Sequence, residues 1–331
     1  MVNRDINFSL WLDFVERDYL KNEFPKLIEN GIINGATSNP SIFASAITTS
    51  PAYKEQLASL AGKSAKEKYE ALAIEDIRTA AQALRPSYDE GNDGYISIEV
   101  DPFLSNDTQG TIEEGKRLFA AIGEPNVMVK VPATQDGYEA MTALTGTGIS
   151  VNATLVFSPK QAEKCLKAIK KGLDNFENFG GGRVEAVISV FVSRFDRLLD
   201  SELQLEGMDV AKTGIYNAAK IYNLIEGKHT PSVRTLFAST GVKGDDLEAD
   251  YYMRELLAPH SVNTAPLSTI ESYIATQASA PALPIDDDIL NGYFTKLEDN
   301  GFSMDAIHSQ LLQEGLEAFE NAFQEMLESL K

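Results

Sequence analysis

Eight short apolar runs, each followed by a stretch that reads as helix, constrain this chain more than any other feature. The runs are residues 10–14, 35–40, 95–100, 126–131, 150–157, 186–192, 233–238 and 261–265. Between them, residues 111–122 carry an amphipathic period with an acidic first turn. Ser158-Pro159 reads as a helix cap followed by a proline at the first helical position, opening a helix over 160–170. Residues 209–225 form another helical pattern, with Gly214 as a tolerated weak point. Strands alternating with helices give a parallel sheet, and eight such units in one chain predict a closed α/β barrel, the (β/α)8 or TIM barrel. At 331 residues, the chain has room for that barrel as a single domain over residues 1–331 with two decorations. A helical insertion is expected around 48–92, between strands two and three, with its clearest helix at 65–84. A C-terminal helical extension is expected around 270–331. It ends in an amphipathic helix over 303–330, with a break at Gly315, that covers the barrel or its mouth. Gly180-Gly181-Gly182 reads as a surface turn ahead of strand six.

Composition excludes several classes. The formal net charge is -20, and no cluster of four or more Lys or Arg interrupts it, so neither nucleic acid nor an acidic membrane is an expected partner. No apolar run approaches the ~20 residues that span a bilayer, and the start has no signal-peptide pattern. Cys165 is the sole cysteine, so no intrachain disulfide can form and a cytoplasmic setting fits. His229, His260 and His308 lie far apart without ligand spacing, and no metal is expected. Gly146-Thr147-Gly148 precedes a strand and lacks a third glycine, so it is not a dinucleotide fingerprint. No cofactor is expected.

The sharper signal is polarity where a barrel should be greasy. Side chains alternate faces along a strand. Ser97 and Glu99 therefore share a face, as do Asn152, Thr154 and Val156, and Ser189 and Phe191. Asp13, Asn39 and Lys130 each fall near the carboxyl end of their run. Barrel interiors are packed with branched apolar residues, and active sites occupy the carboxyl-terminal mouth. A layer of Asp, Asn, Glu, Lys, Asn, Thr and Ser makes a poor core and a good reaction chamber. The alternative is a fully satisfied polar network that pins the barrel. A lysine ending a buried strand is a candidate amine nucleophile for a carbonyl carbon, because burial disfavours an ammonium. Two carboxylates beside it fit the proton transfers of imine chemistry.

Anion binding has its own candidates. Arg194 follows strand six, and Ser239 to Lys243 follows strand seven. This part of a barrel mouth commonly holds phosphate, with arginine as a rigid fork and lysine as a point charge. Arg197 falls on the next helix and is the weaker candidate.

Several of these segments together resemble the transaldolase family, in its bacterial branch with longer helical decorations. They are Trp11-Leu12-Asp13, Gly35-Ala-Thr-Ser-Asn-Pro-Ser-Ile-Phe43, Ser97-Ile-Glu-Val100, Val127-Met-Val-Lys-Val-Pro-Ala-Thr134, Val151-Asn-Ala-Thr-Leu-Val-Phe-Ser158, Ser189-Val-Phe-Val-Ser-Arg194 and Ala238-Ser-Thr-Gly-Val-Lys243. The resemblance implies an enzyme that moves a dihydroxyacetone unit from sedoheptulose 7-phosphate to glyceraldehyde 3-phosphate, with no cofactor. It assigns the Schiff base to Lys130 and acid/base work to Asp13. Glu99 and Thr154 hold a proton-shuttling water. Asn39 and Asn152 bind donor hydroxyls, Ser189 and Phe191 line their pocket, and Thr37 orders the end of strand two. Arg194, Ser239 and Lys243 hold the phosphate. Many members carry Ser-Phe-Arg after strand seven, where this chain has Ser239-Thr-Gly241, and Lys243 stands in for that cation. Two other readings stay open: a Schiff-base sugar-phosphate aldolase that releases free dihydroxyacetone, and a non-catalytic barrel that binds sugar phosphates. Monomer and homodimer both fit.

Overall fold

In the computed structural model, which describes residues 2–178 and 182–331, the eight runs become eight parallel strands. They are β1 Phe8–Asp13, β2 Gly35–Thr37, β3 Tyr95–Glu99, β4 Val127–Pro132, β5 Ser150–Val156, β6 Ala186–Phe191, β7 Val233–Ala238 and β8 Ser261–Ala265. They pair in sequence order and close, β8 on β1, into the expected TIM barrel. Outward strand residues such as Leu10, Ile98, Val131 and Ile188 pack against the surrounding helices in two large apolar clusters. A third cluster fills the barrel itself, with Trp11, Tyr95, Met128, Val187 and Leu236, and continues to Phe319 on the last helix. Gly180 and Gly181 of the expected surface turn lie outside the described residues.

The amino-terminal half of the interior is closed by a buried ionic plug. Asp93 accepts one hydrogen bond from the Trp11 indole at 2.7 Å and another from Arg234 at 2.7 Å. Arg234 also donates to Ser9 at 3.1 Å. A buried charge is tolerated when it is paired in this way. The space for Trp11 comes from Gly35, whose register partner it is. A Cβ there would sit 2.3 Å from the indole nitrogen.

The long β2–β3 connection holds the helices Pro40–Thr49, Lys54–Ser59 and Ala65–Asp89. The last starts on a capping box, Ser64 with Glu67. The C-terminal extension holds Leu267–Thr276, Asp287–Asp299 and Met304–Ser329.

Three expectations need correction. The second run does not stay extended to Pro40. β2 stops at Thr37, and Asn39 caps the next helix by accepting from the Ile42 amide at 3.0 Å, with Pro40 at the first helical position. Val156 does not share a face with Asn152 and Thr154. The β5–β6 register shifts between Ala153 and Val156, and Leu155 sits at φ 57°. This bulge turns Leu155 into the barrel and Val156 out among the helices. The terminal helix is not broken at Gly315 but runs through it from Met304 to Ser329. A Cβ at Gly315 would meet Leu155 at 3.0 Å and Arg194 at 3.4 Å, so the glycine lets the helix approach the barrel.

Candidate active site

The carboxyl-terminal ends of the strands surround a cavity of about 190 Å³. Lys130 lies at its floor, 5% exposed. Adjacent strands fix its neighbours by register, Glu99 on β3 and Asn152 on β5. Lys130 Nζ donates to the Ser38 carbonyl at 3.1 Å and lies 3.8 Å from Glu99 Oε2. Neither Glu99 oxygen has a hydrogen-bond partner among the described residues, and the buried Thr154 hydroxyl, which lines the cavity, has none either. Burial pushes Glu99 up to about 7, against the pull of Lys130, with Asp13 adding repulsion.

Asp13 ends β1 and lines the same cavity. Its carboxyl is raised by burial, while the Lys130 charge and the Thr37 hydroxyl draw it down. Thr37 lies 2.6 Å from Asp13 Oδ1 and 2.6 Å from Thr264 Oγ1, and so fixes one oxygen of the acid. Two carboxyl groups near one lysine are both raised by burial, a disposition suited to holding and releasing protons.

A polar relay supports the far wall. Ser189 donates to Asn152 Oδ1 at 2.6 Å, and Asn152 Nδ2 donates to Ser97 Oγ at 3.0 Å. Ser189 lines the cavity, while Asn152 is fully buried behind it. Asn39 lines the cavity from the helix cap. Phe191 packs 5.3 Å from Phe157 and 6.5 Å from Phe319, ring centre to ring centre.

Arg194 is on the first turn of the helix Ser193–Leu205, with its guanidinium 5.1 Å over the Phe191 ring. It reaches the cavity, as does Ser239, whose hydroxyl is 3.0 Å from that of Ser193. Burial and the nearby Arg197 disfavour the Arg194 charge, and Glu314 favours it. A partly buried cation with no salt bridge among the described residues is a ready anion site. Lys243 is exposed and does not line the cavity. The structure therefore leaves Lys243 and Arg197 outside and brings together the other candidates in or directly behind one chamber.

Of the groups at the chamber that were not sequence candidates, three bear on the lysine and its acids. The Ser38 carbonyl receives the lysine, Thr264 braces Thr37, and Phe319 roofs the cavity with its ring centre 5.8 Å from Lys130 Nζ. Thr264 alone left a trace, a hydroxyl on an inward position of β8. Among the described residues no cluster of three or more metal-binding side chains occurs, and no helix is long and apolar enough to cross a membrane.

A closed barrel with a buried lysine sharing its chamber with two acids, and a cation at the rim, defines a class, the Schiff-base sugar-phosphate enzymes. Residues 10–330 match the family Transaldolase/Fructose-6-phosphate aldolase. The chain is 47% identical over 334 residues to a transaldolase of Campylobacter jejuni subsp. jejuni serotype O:23/36 (strain 81-176), covering 98% of this chain and 99% of the relative. It is 45% identical over 323 residues to a transaldolase of Helicobacter pylori (strain ATCC 700392 / 26695), covering 97% and 99%. The chain belongs to the transaldolase/fructose-6-phosphate aldolase family and is an enzyme of the transaldolase type, acting on sugar phosphates.

Proposed function

We propose that this enzyme transfers dihydroxyacetone from sedoheptulose 7-phosphate to glyceraldehyde 3-phosphate through an imine on Lys130. The products are erythrose 4-phosphate and fructose 6-phosphate. The observation that carries the assignment is the buried Lys130 Nζ at the cavity of the barrel mouth, 3.8 Å from Glu99 and sharing that cavity with Asp13. We further propose that the chain works as one domain, because the interior apolar cluster runs without interruption from the barrel to the last helix.

The chemistry follows from the placements. The Lys130 amine adds to the ketose carbonyl, giving a carbinolamine, and loss of its hydroxyl as water leaves a protonated imine. Glu99, with its carboxyl near 7, exchanges protons in both steps through a water held with Thr154. Both groups have open hydrogen-bonding capacity for it. Asp13 takes the proton of the C4 hydroxyl. The C3–C4 bond then breaks, its electrons pass into the iminium, and the aldose phosphate leaves. Lys130 now carries an enamine, which attacks the incoming aldehyde in the reverse sense, with Asp13 returning its proton; water then adds to the resulting imine and the carbon–nitrogen bond breaks, freeing fructose 6-phosphate and the amine. Asn39, and Ser189 backed by Asn152, hold the three-carbon hydroxyls. Arg194 and Ser239 hold the phosphate, so that remote binding aligns the carbonyl with the amine.

The test is borohydride reduction in the presence of fructose 6-phosphate, with the modified residue mapped by mass spectrometry. A reduced three-carbon adduct on Lys130 is expected. An adduct on another lysine reassigns the nucleophile, and no adduct ends the imine reading.

A further inference from the structure

We infer that Phe319 determines whether the Lys130-bound enamine is transferred or lost to water; the inference rests on the imine reading above. The helix Met304–Ser329 crosses the barrel mouth on one face, with Gly315, Phe319 and Phe323 spaced one turn apart. Gly315 abuts Leu155 and Arg194. Phe323 is 2% exposed and packs edge-on against Tyr69 at 5.3 Å. Between these two anchors Phe319 is 6% exposed, lines the reaction cavity, and holds its ring 5.8 Å from Lys130 Nζ. Its ring also meets Phe191 at 6.5 Å. An aromatic roof thus lies over the nitrogen that would carry the three-carbon unit.

The enamine has two fates. Attack on an aldehyde forms a carbon–carbon bond and completes transfer. Alternatively, its nucleophilic carbon takes a proton, water adds to the resulting iminium carbon, and the carbon–nitrogen bond breaks. That route frees dihydroxyacetone and returns the lysine. Water must reach the imine carbon in either route to free the lysine, so the routes part at the enamine carbon that takes the proton, on the side that Phe319 covers. A phenyl ring supplies no proton, and its bulk excludes a water that could bring one. Asp13, Thr37 and Thr154 come from the strands of the barrel, and Asn39 and Arg194 from the starts of the helices that follow β2 and β6. Apolarity above the nitrogen comes from the last helix.

The experiment feeds the enzyme fructose 6-phosphate and measures dihydroxyacetone released against transfer to erythrose 4-phosphate, with borohydride trapping at Lys130 run in parallel. Phe319→Ala opens the roof, and Phe319→Gln keeps a helix-forming side chain of some length but makes it polar. Both are expected to raise the ratio of release to transfer about tenfold, with trapping at Lys130 retained. Phe319→Met, apolar and bulky, is expected to hold the ratio near that of the unaltered enzyme. An unchanged ratio in Phe319→Gln or Phe319→Ala with trapping intact overturns the inference, as does a rise in Phe319→Met equal to that in Phe319→Gln. Absence of any Lys130 adduct in the unaltered enzyme instead overturns the imine reading, and the inference falls with it.

Discussion

Lys130 Nζ lies 3.8 Å from Glu99 Oε2, with the two side chains brought level by the β3–β4 register and both almost fully buried. The distance is too long for a direct hydrogen bond. The pair therefore acts through charge, and each oxygen of Glu99 stays open to a third group. Replacing Lys130 by Arg keeps the positive charge beside Glu99 but removes the nucleophile, because a guanidinium stays protonated. Turnover is expected to vanish and no borohydride adduct to form, while circular dichroism and thermal unfolding stay close to those of the unaltered protein. Residual imine trapping elsewhere in the chain would contradict the assignment.

Glu99 gives a pH prediction. Its folded value of about 7 stands above the ordinary 4.5. The native state therefore binds more protons than the unfolded chain between those values, and this group's contribution to stability falls as pH rises from about 4.5 to about 7. The size is on the order of 3 kcal/mol across the window. Glu99→Gln removes the titration, so its unfolding free energy should vary less than that of the unaltered protein over this range. Denaturant titrations at several pH values check it, and parallel curves would refute it. Turnover of Glu99→Gln should fall by about 100-fold or more, since a general acid–base contributes that much.

For Asp13→Ala, donor binding should survive and bond cleavage should slow. Asp13 is braced by Thr37 on one oxygen, which leaves the other for the substrate hydroxyl. In single-turnover rapid quench, the imine forms and erythrose 4-phosphate appears about 100-fold more slowly or worse. A normal cleavage rate would remove Asp13 from this role.

Much of this arrangement was legible in the sequence, and the failures have physical causes. Lys130, Glu99, Asn152 and Ser189 stand out because a charged, amide or hydroxyl side chain on an inward strand position is costly. Strand parity pairs Glu99 with Ser97, Asn152 with Thr154 and Ser189 with Phe191, and Lys130 stands out by its place near a strand end. Parity fails at Thr154–Val156 because the bulge depends on Leu155 adopting φ 57°, and leucine gives no sign of that conformation. The second run was carried past Thr37 to Pro40 because Asn39, as a helix cap, keeps an extended backbone (φ -154°, ψ 169°), although Asn-Pro is also the signature of a cap and first helical residue. Phe319 carried no signal, since one phenylalanine on an amphipathic helix is indistinguishable from a core residue until the helix is seen crossing the mouth. Lys243 was chosen by proximity to β7, but Ser239 at φ 55° begins an irregular loop that leaves the lysine exposed.

Gly35 tests the plug beneath the chamber. The Trp11 indole occupies the space where a side chain at residue 35 would begin, 2.3 Å from an added Cβ. The indole is also held by its hydrogen bond to Asp93, so it cannot swing aside without leaving a buried acid short of a partner. Gly35→Ala should therefore destabilise by about 1–3 kcal/mol through overpacking, read as a lower midpoint in denaturant with an unchanged slope. Unaltered stability would mean that the indole has a second place to go.

The rim offers a test that separates binding from chemistry. Arg194 reaches the cavity and Lys243 does not. Removing Arg194 takes away a charge-assisted contact to the phosphate, worth about 1.5–3 kcal/mol. Arg194→Ala should therefore raise KM for sedoheptulose 7-phosphate by about 10-fold to 100-fold. It should have a much smaller effect on a donor that lacks phosphate, because there the cation has nothing to hold. Lys243→Ala should change KM little. Steady-state kinetics on phosphorylated and unphosphorylated donors distinguish the two residues. A large KM effect from Lys243→Ala would mean that the loop after β7 folds over the substrate when it binds. Equal losses on both donors in Arg194→Ala would make the arginine a structural prop for Phe191, over whose ring it lies.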